Sequence, residues 1–342
     1  MTVDYSRLKV AVLGTRHVHA EGLVQIAAAT GATIVGAHER DPRARSAWAG
    51  LGLGNIGTRE AVLAEADAVI VAGTNAERVD DTLAALEAGC AVLSEKPVAM
   101  NEADLERLLA HINAASSGKL SVALPVRFGG ALVRARDAIR AGSIGTPIAG
   151  RGTNHGQFPG GWFGSLADAG GGAIMDHTVH VSDALCWLLD DRIEAVYAES
   201  THKMYPNIEV ESGGILTMNF ASGFFASLDA SWSRPASFHT WGDVWVEIMG
   251  TEGRIVINPM ARHMNHFSEQ AGKLLTVGYD EGDMTGDMVR AFLASAAGAE
   301  PTDVAPASLA EGVHASETVF AAYRSCASGK VEQVRDRLAV DV

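Results

Sequence analysis

The chain has 342 residues, 47% of them hydrophobic, and a formal net charge of −14 from 27 Lys+Arg against 41 Asp+Glu. A length above the roughly 250–300 residues at which single cores stop growing points to two domains. The acidic balance, without a Lys/Arg cluster, excludes the basic face that nucleic-acid binding requires. Cys90, Cys186 and Cys326 are odd in number and scattered, which suits reduced thiols in a cytoplasmic protein rather than a disulfide framework. The N-terminal residues carry no signal-type apolar segment, and no apolar run approaches the roughly 18–20 residues a membrane helix needs.

In chain order, residues 8–14 read as a short apolar strand ending in Gly14, followed by a helix over 19–29 and a second strand over 33–37. A helix near 42–50 precedes a loop at 52–55, and 67–72 is a third strand. Helical periodicity over 76–88 leads to a fourth strand at 90–93. Asn101 is a good N-cap for the next helix, and 119–124 is a fifth strand. Strand–helix alternation with short connections predicts a doubly wound parallel α/β sheet over residues 1–125. The pattern then changes. Helices are expected at 131–141 and 173–189, and β-branched or aromatic runs at 193–201, 211–220, 224–231, 244–249 and 254–257. Glycine turns at 222–223 and 251–253 fit hairpins. Residues 126–342 therefore read as an α+β domain with an open, mainly antiparallel sheet. Helices at 284–297 and 307–328 close the chain and are expected to pack back on the first domain.

The first strand-to-helix turn reads Gly14-Thr15-Arg16-His17-Val18-His19. A dinucleotide fingerprint needs glycines at 14, 16 and 19, and only Gly14 is there. The helix N-terminus nevertheless offers an anion site. Arg16 is placed to contact phosphate by its side chain. Glu39, ending the second strand, suits the two ribose hydroxyls of NAD, while Arg40 beside it would tolerate the extra phosphate of NADP. Gly14, Thr15, Arg16, His17, Glu39 and Arg40 are the cofactor candidates of this half.

Glu95-Lys96-Pro97 follows the apolar run 91–93, so Lys96 stands at the carboxyl edge where open α/β sheets bind ligands. The proline fixes its own φ and biases Lys96 toward an extended conformation. Farther on, a glycine run leads into Asp176-His177-Thr178-Val179-His180, where Asp176 and His180 share a helix face. A lysine, a carboxylate and a histidine form an acid–base set if the fold unites them. Asp176, His177 and His180 do not converge on a helix, so no metal is expected.

Together with 69–75, 88–97, Gly170-Gly171-Gly172-Ala173-Ile174-Met175-Asp176, Asp183 and the ending 328–331, these segments resemble the Gfo/Idh/MocA oxidoreductases over nearly the whole chain. The resemblance implies a Rossmann domain, a second domain whose sheet builds homodimers or homotetramers, and NAD(P)-dependent hydride exchange at a secondary alcohol of a sugar, cyclitol or polyol. It matches Lys96, Asp176 and His180 to catalytic positions. It matches Gly73, Thr74, Asn75 and Glu95 to the cofactor's surroundings, and Arg127 to the nicotinamide and substrate cleft. Thr74 stands where proline is common, Arg78 where histidine often follows, and His177 is an additional histidine.

In this reading His180 exchanges the hydroxyl proton, since an imidazole titrates near neutrality. Lys96 stabilises the developing alkoxide. Asp176 orients a neighbouring hydroxyl. Residues 154–163 read as a glycine-rich polar-aromatic loop; His155, Trp162 and Arg127, with His177, are the further substrate contacts. Trp232, His239 and Trp241 come from the sheet, with Trp232 read as core, and His263 and His266 as flanking a solvated loop. Two other activities fit the same scaffold: a lyase or glycosidase that oxidises its sugar transiently with bound NAD, and a non-catalytic sugar or nucleotide sensor, against which the acid–base trio argues.

Overall fold

The computed structural model describes residues 4–238, 240–259, 263–270, 272–278, 283–299 and 303–338, with backbone alone at 114–115, 263–266, 268 and 273–278. The chain opens with β1 (Lys9–Leu13), α1 (Ala20–Ala29), β2 (Thr33–His38), α2 (Pro42–Leu51), α3 (Arg59–Leu63) and β3 (Ala68–Val71). It continues with α4 (Asn75–Glu87), β4 (Ala91–Ser94), α5 (Glu102–His111), α6 (Ala114–Ser117) and β5 (Leu120–Val122). Then come α7 (Gly130–Arg140), β6 (Pro147–Gly156), α8 (Leu166–Ala169), α9 (Ala173–Leu189), β7 (Ile193–Thr201) and β8 (Gly213–Phe220). The remainder is β9 (Phe225–Ser231), β10 (Gly242–Gly250), β11 (Gly253–Asn258), β12 (His263–Ser268), β13 (Lys273–Gly278), α10 (Met284–Ala296), β14 (Ala307–Ser308), α11 (Leu309–Ser328) and β15 (Glu332–Gln333). These elements divide into two compact units.

The first unit comprises Met1–Leu124, Ala167–Ala169 and Thr285–Val313. Its sheet runs β14-β5-β4-β3-β1-β2, parallel except for the short edge strand β14. Residues 10–13 and 68–71 are wholly buried, as continuous apolar runs are when helices cover both faces of a parallel sheet. Helix starts follow local chemistry. Asp41 accepts the N–H groups of Arg43 and Ala44 ahead of Pro42 at the first turn, Thr74 and Glu77 form a capping box, and Asn101 caps α5. The strand order reverses between β1 and β3, which makes their carboxyl ends the topological switch point.

The second unit comprises Pro125–Leu166, Gly170–Met284 and His314–Val342. Its nine-stranded sheet runs β13-β12-β11-β10-β6-β9-β8-β7-β15, antiparallel except for the central β6–β9 pair. Helix α9 packs on one face. A Cβ on Gly152 of β6 would lie 2.6 Å from Val181, and one on Gly214 of β8 2.5 Å from Ile174, so these strands need glycine for α9 to come this close.

Two expectations are corrected here. Residues 154–156 are the end of β6, not a loop; glycines at alternate positions erase the strand pattern there, because the residues facing α9 must be small. Residues 263–268, where His263 and His266 are expected to flank a loop, form β12, which pairs with β11 and with β13 and extends the ladder outward. The side chains of His263 and His266, and His239 entirely, lie outside the described residues. Among the described residues no helix is long and apolar enough to cross a membrane.

Candidate functional site

In the first unit the chemistry gathers at the carboxyl ends of β1 to β4. Gly14 has φ +73°, and a Cβ on it would sit 2.2 Å from the Gly73 Cα, so the turns after β1 and β3 touch backbone to backbone. Glu39 is wholly buried. One of its carboxylate oxygens accepts from the Thr15 N–H (2.7 Å) and hydroxyl (2.9 Å), the other from the Asp41 N–H (2.8 Å). The carboxylate thus clamps the turn in which two fingerprint glycines are missing. Arg16 donates to Glu77 at 2.5 Å and lies 3.6 Å from Glu39. Arg40 forms a bidentate pair with the buried Asp81 at 2.8 and 2.6 Å.

Glu95 and Lys96 follow β4 and are 2% and 3% exposed. Burial pushes the Glu95 carboxyl up, but the imidazoles of His17 and His19 and the Lys96 ammonium hold it well below the usual carboxylate range. His17 is driven well below its ordinary value by burial, partly offset by Glu95. The Lys96 N–H donates to Glu95 Oε2 at 3.2 Å. Arg78, buried in the first turn of α4, donates to Asn75 Oδ1 (2.5 Å), the Pro97 carbonyl (3.0 Å) and the Gly73 carbonyl (3.4 Å). Asn75 donates to the Ala169 carbonyl at 2.8 Å. A single guanidinium therefore ties the β3 turn to the segment leaving Lys96. Its one signal in the sequence is a charge on the buried stripe 75, 78, 79, 82, 86 of α4.

In the second unit the predicted residues gather at the head of α9. A Cβ on Gly171 would meet the Tyr323 hydroxyl at 1.9 Å, and one on Gly172 the Glu211 carbonyl at 1.8 Å, which explains the glycine run. The buried Glu211 carboxylate accepts from the Gly172 N–H (3.0 Å), the Ile174 N–H (2.9 Å) and the Tyr323 hydroxyl (2.9 Å). Glu211 is a side-chain cap supplied from a distant segment, where local sequence offers none. Burial raises its carboxyl despite these donors.

Asp176 Oδ2 accepts from Trp232 Nε1 at 3.1 Å and lies 3.3 Å from His177 Nε2. Trp232 is core, as its composition suggests, and also the donor that orients Asp176. His180 is 9% exposed, one turn on from Asp176. Trp162 stacks on Phe163 at 4.0 Å, against the cluster Phe163, Ala173, Val210 and Trp232. Arg127 is buried and bonded twice to Asp183, a turn beyond His180, with Nε to Oδ2 at 3.1 Å.

His155 does not join this group. Gly152 and Gly156 of β6 face Val181 and His177 of α9, so by strand alternation His155 projects from the opposite face of the sheet. There its Nε2 is 3.1 Å from Asp229 and its Nδ1 3.4 Å from Asp243, which also binds Arg234. The two carboxylates raise its pKa to about 9, and Arg234 Nη2 lies 3.0 Å from the same Nδ1. Trp241 is 53% exposed on the surface.

A doubly wound parallel sheet with its chemistry at the switch point, followed in the same chain by an α9-backed antiparallel sheet, defines an NAD-binding oxidoreductase architecture. Residues 8–123 match the family described as "Oxidoreductase family, NAD-binding Rossmann fold", and residues 132–256 match the GFO/IDH/MocA C-terminal domain. The chain belongs to the GFO/IDH/MocA oxidoreductase family. It is 32% identical over 254 residues to a 1,5-anhydro-D-fructose reductase from Ensifer adhaerens, covering 72% of this chain and 74% of that one. It is 29% identical to Inositol 2-dehydrogenase 3 from Saccharopolyspora erythraea, over 59% of this chain and 60% of the relative. Its fold is similar to that of a levoglucosan dehydrogenase solved with NADH, with TM-score 0.82 and 21% identity over 96% of this chain and 99% of that one.

Proposed function

We propose that the protein interconverts a secondary alcohol and the corresponding ketone of a sugar, cyclitol or related polyol, with Lys96, Asp176 and His180 as its catalytic residues. The observation that carries this reading is Lys96 itself, 3% exposed at the carboxyl end of β4 beside the switch point of an NAD-binding unit. The residues there suit a dinucleotide: the Gly14–Gly73 contact holds the turns after β1 and β3 together, and α1 presents its N-terminus beside them. NAD, when bound, supplies or accepts the hydride. Thr15, Arg16 and His17 would hold its phosphate and ribose end, with Gly73, Thr74, Asn75 and Glu95 lining its path. Glu39 would act by clamping Thr15. Arg16 and Arg40 beside it extend the reading to NADP.

In oxidation His180 takes the hydroxyl proton, and in reduction it returns one. The Lys96 ammonium donates to the same substrate oxygen, where negative charge develops. Asp176, held by Trp232, accepts from a neighbouring hydroxyl, and His177 supports it from the other side. Arg127 acts through Asp183, whose ion pair fixes α9 one turn from His180. Trp162 offers an aromatic face to a sugar ring. His155 is not carried into this assignment.

A cytoplasmic homodimer or homotetramer built through the sheet face opposite α9 completes the reading. Ile215 and Phe225 on that face are 55% and 52% exposed, which supports it. A panel of sugars, cyclitols and polyols with NAD and with NADP, read at the absorbance of the reduced nicotinamide, tests the function. Turnover with at least one polyol is the expected result, and silence of the whole panel with both cofactors overturns it.

A further inference from the structure

We propose that His17, His19 and Glu95 form a binding site for a borderline divalent transition-metal cation such as Zn2+ or Co2+. The two histidines stand at i and i+2 in the turn after β1, and Glu95 follows β4, with the end of β3 between them. The His17 N–H is bonded to the Ala72 carbonyl at 3.0 Å, which swings the turn across the end of β3 toward Glu95. His19 Nδ1 then lies 2.9 Å and His17 Nδ1 3.6 Å from the same oxygen, Glu95 Oε1. All three ligand atoms fall within 4.8 Å of one another, the one such grouping of three or more among the described residues. Tetrahedral ligands at about 2.0–2.2 Å from an ion are roughly 3.4 Å apart, so the spacing needs only small adjustment.

The hydrogen bonds show what an ion would replace. Glu95 Oε1 is bonded to the His19 ring Nδ1 at 2.9 Å, and the His19 N–H donates to His17 Nδ1 at 3.3 Å. An ion would take the place of the ring proton between His19 and Glu95, and His17 Nδ1 would exchange that backbone N–H for the metal. The other oxygen, Oε2, is held by the Lys96 N–H, the outer-shell contact that orients a ligating carboxylate. Two imidazoles and one carboxylate suit Zn2+, Co2+ or Fe2+ rather than Ca2+ or Mg2+, which prefer all-oxygen sites.

The side chain of His19 is 45% exposed, so an ion has a way in and keeps open positions toward solvent. Lys96 and Arg78 lie close enough to act on His17, so binding is expected to be weaker than at a closed structural zinc site. One of the two histidines, His19, stands where the fingerprint has a glycine, so that departure supplies a ligand of the site. Its open positions lie at the head of α1, where the phosphates of a dinucleotide are expected.

The test uses the full chain with any affinity tag removed and no dinucleotide present, so that its failure is distinct from failure of the oxidoreductase reading. Chelator-treated protein is titrated with Co2+, read by its visible d–d absorption, and with Zn2+ by calorimetry. One equivalent should bind. H19Q, a change at a half-exposed side chain, should weaken both by about tenfold or more with unchanged circular dichroism. Failure of either cation to bind at millimolar concentration overturns the site. So does equal affinity in H19Q, which would place the bound ion elsewhere.

Discussion

Lys96 is closed off from solvent, and its neighbours explain how it is held there. Glu95 lies beside it and binds its N–H, and Arg78 holds the Pro97 carbonyl. Methionine keeps the bulk of this lysine and removes its donors. K96M should lower kcat by about 100-fold or more, the usual loss when one donor to a developing oxyanion is removed, while dinucleotide affinity measured by protein fluorescence changes far less. Equal turnover would remove Lys96 from the mechanism. Trp232 works at the same scale. Its indole N–H donates to Asp176 from the core. Hydrogen bonds to charged groups contribute about 1.5–3 kcal/mol. W232F should therefore cut kcat by roughly tenfold or more with the fold retained by circular dichroism; undiminished kcat would show that Asp176 needs no such partner.

The turn after β1 is the element on which we propose that dinucleotide binding rests. Gly14 has both a positive φ and a backbone neighbour inside the radius of a methyl group, so alanine is excluded twice over. G14A should separate the β1 and β3 turns and weaken NAD binding by at least about tenfold, read by equilibrium titration; unchanged affinity would mean that the cofactor does not depend on this contact. Much of the element scale is legible in the chain itself. The run 67–72 and the periodicity of 76–88 predict β3 and α4 to within two residues, because burial on both faces or along one stripe leaves a strong periodic pattern. The end of β6 escapes for the opposite reason. Its inward-facing Gly152 and Gly156 admit α9, so the residues that let it serve as a central strand are the ones that hide it.

Over the whole second unit, charge clusters set a pH dependence. Hydrogen bonds from His155 to Asp229 and then Asp243 raise the imidazole from 6.5 to about 9. A raised histidine contributes stability that is complete below pH 6.5 and is lost as pH climbs through about 9, because the unfolded chain sheds its proton first. Burial raises Asp229 and Asp243, but His155 and Arg234, joined by Ser231 at Asp229, together leave both lowered, so their contribution is present above 3.8 and fades as pH falls below it. Tm should fall by about 3–6 °C between pH 6.5 and 9.5, corresponding to one or two kcal/mol after solvent screening at a partly exposed site. H155Q should flatten that slope in thermal unfolding, and a slope equal to that of the unmodified protein would assign it to other groups.

The sequence by itself determined the alternating α/β half, the antiparallel second half, Lys96 at a strand end, and Asp176 with His180 on one helix face. Each is set by local periodicity, a turn or a spacing within a few residues. Tertiary structure alone decided what those side chains meet. Glu39 turns inward to clamp Thr15, and Arg127 spends its charge on Asp183. His155 falls on the far face of its sheet. Glu211 reaches across 37 residues to cap the helix that carries Asp176. Charges and hydrogen-bond donors act over a few ångströms of space, and which residues share those ångströms is a property of the folded chain rather than of its order.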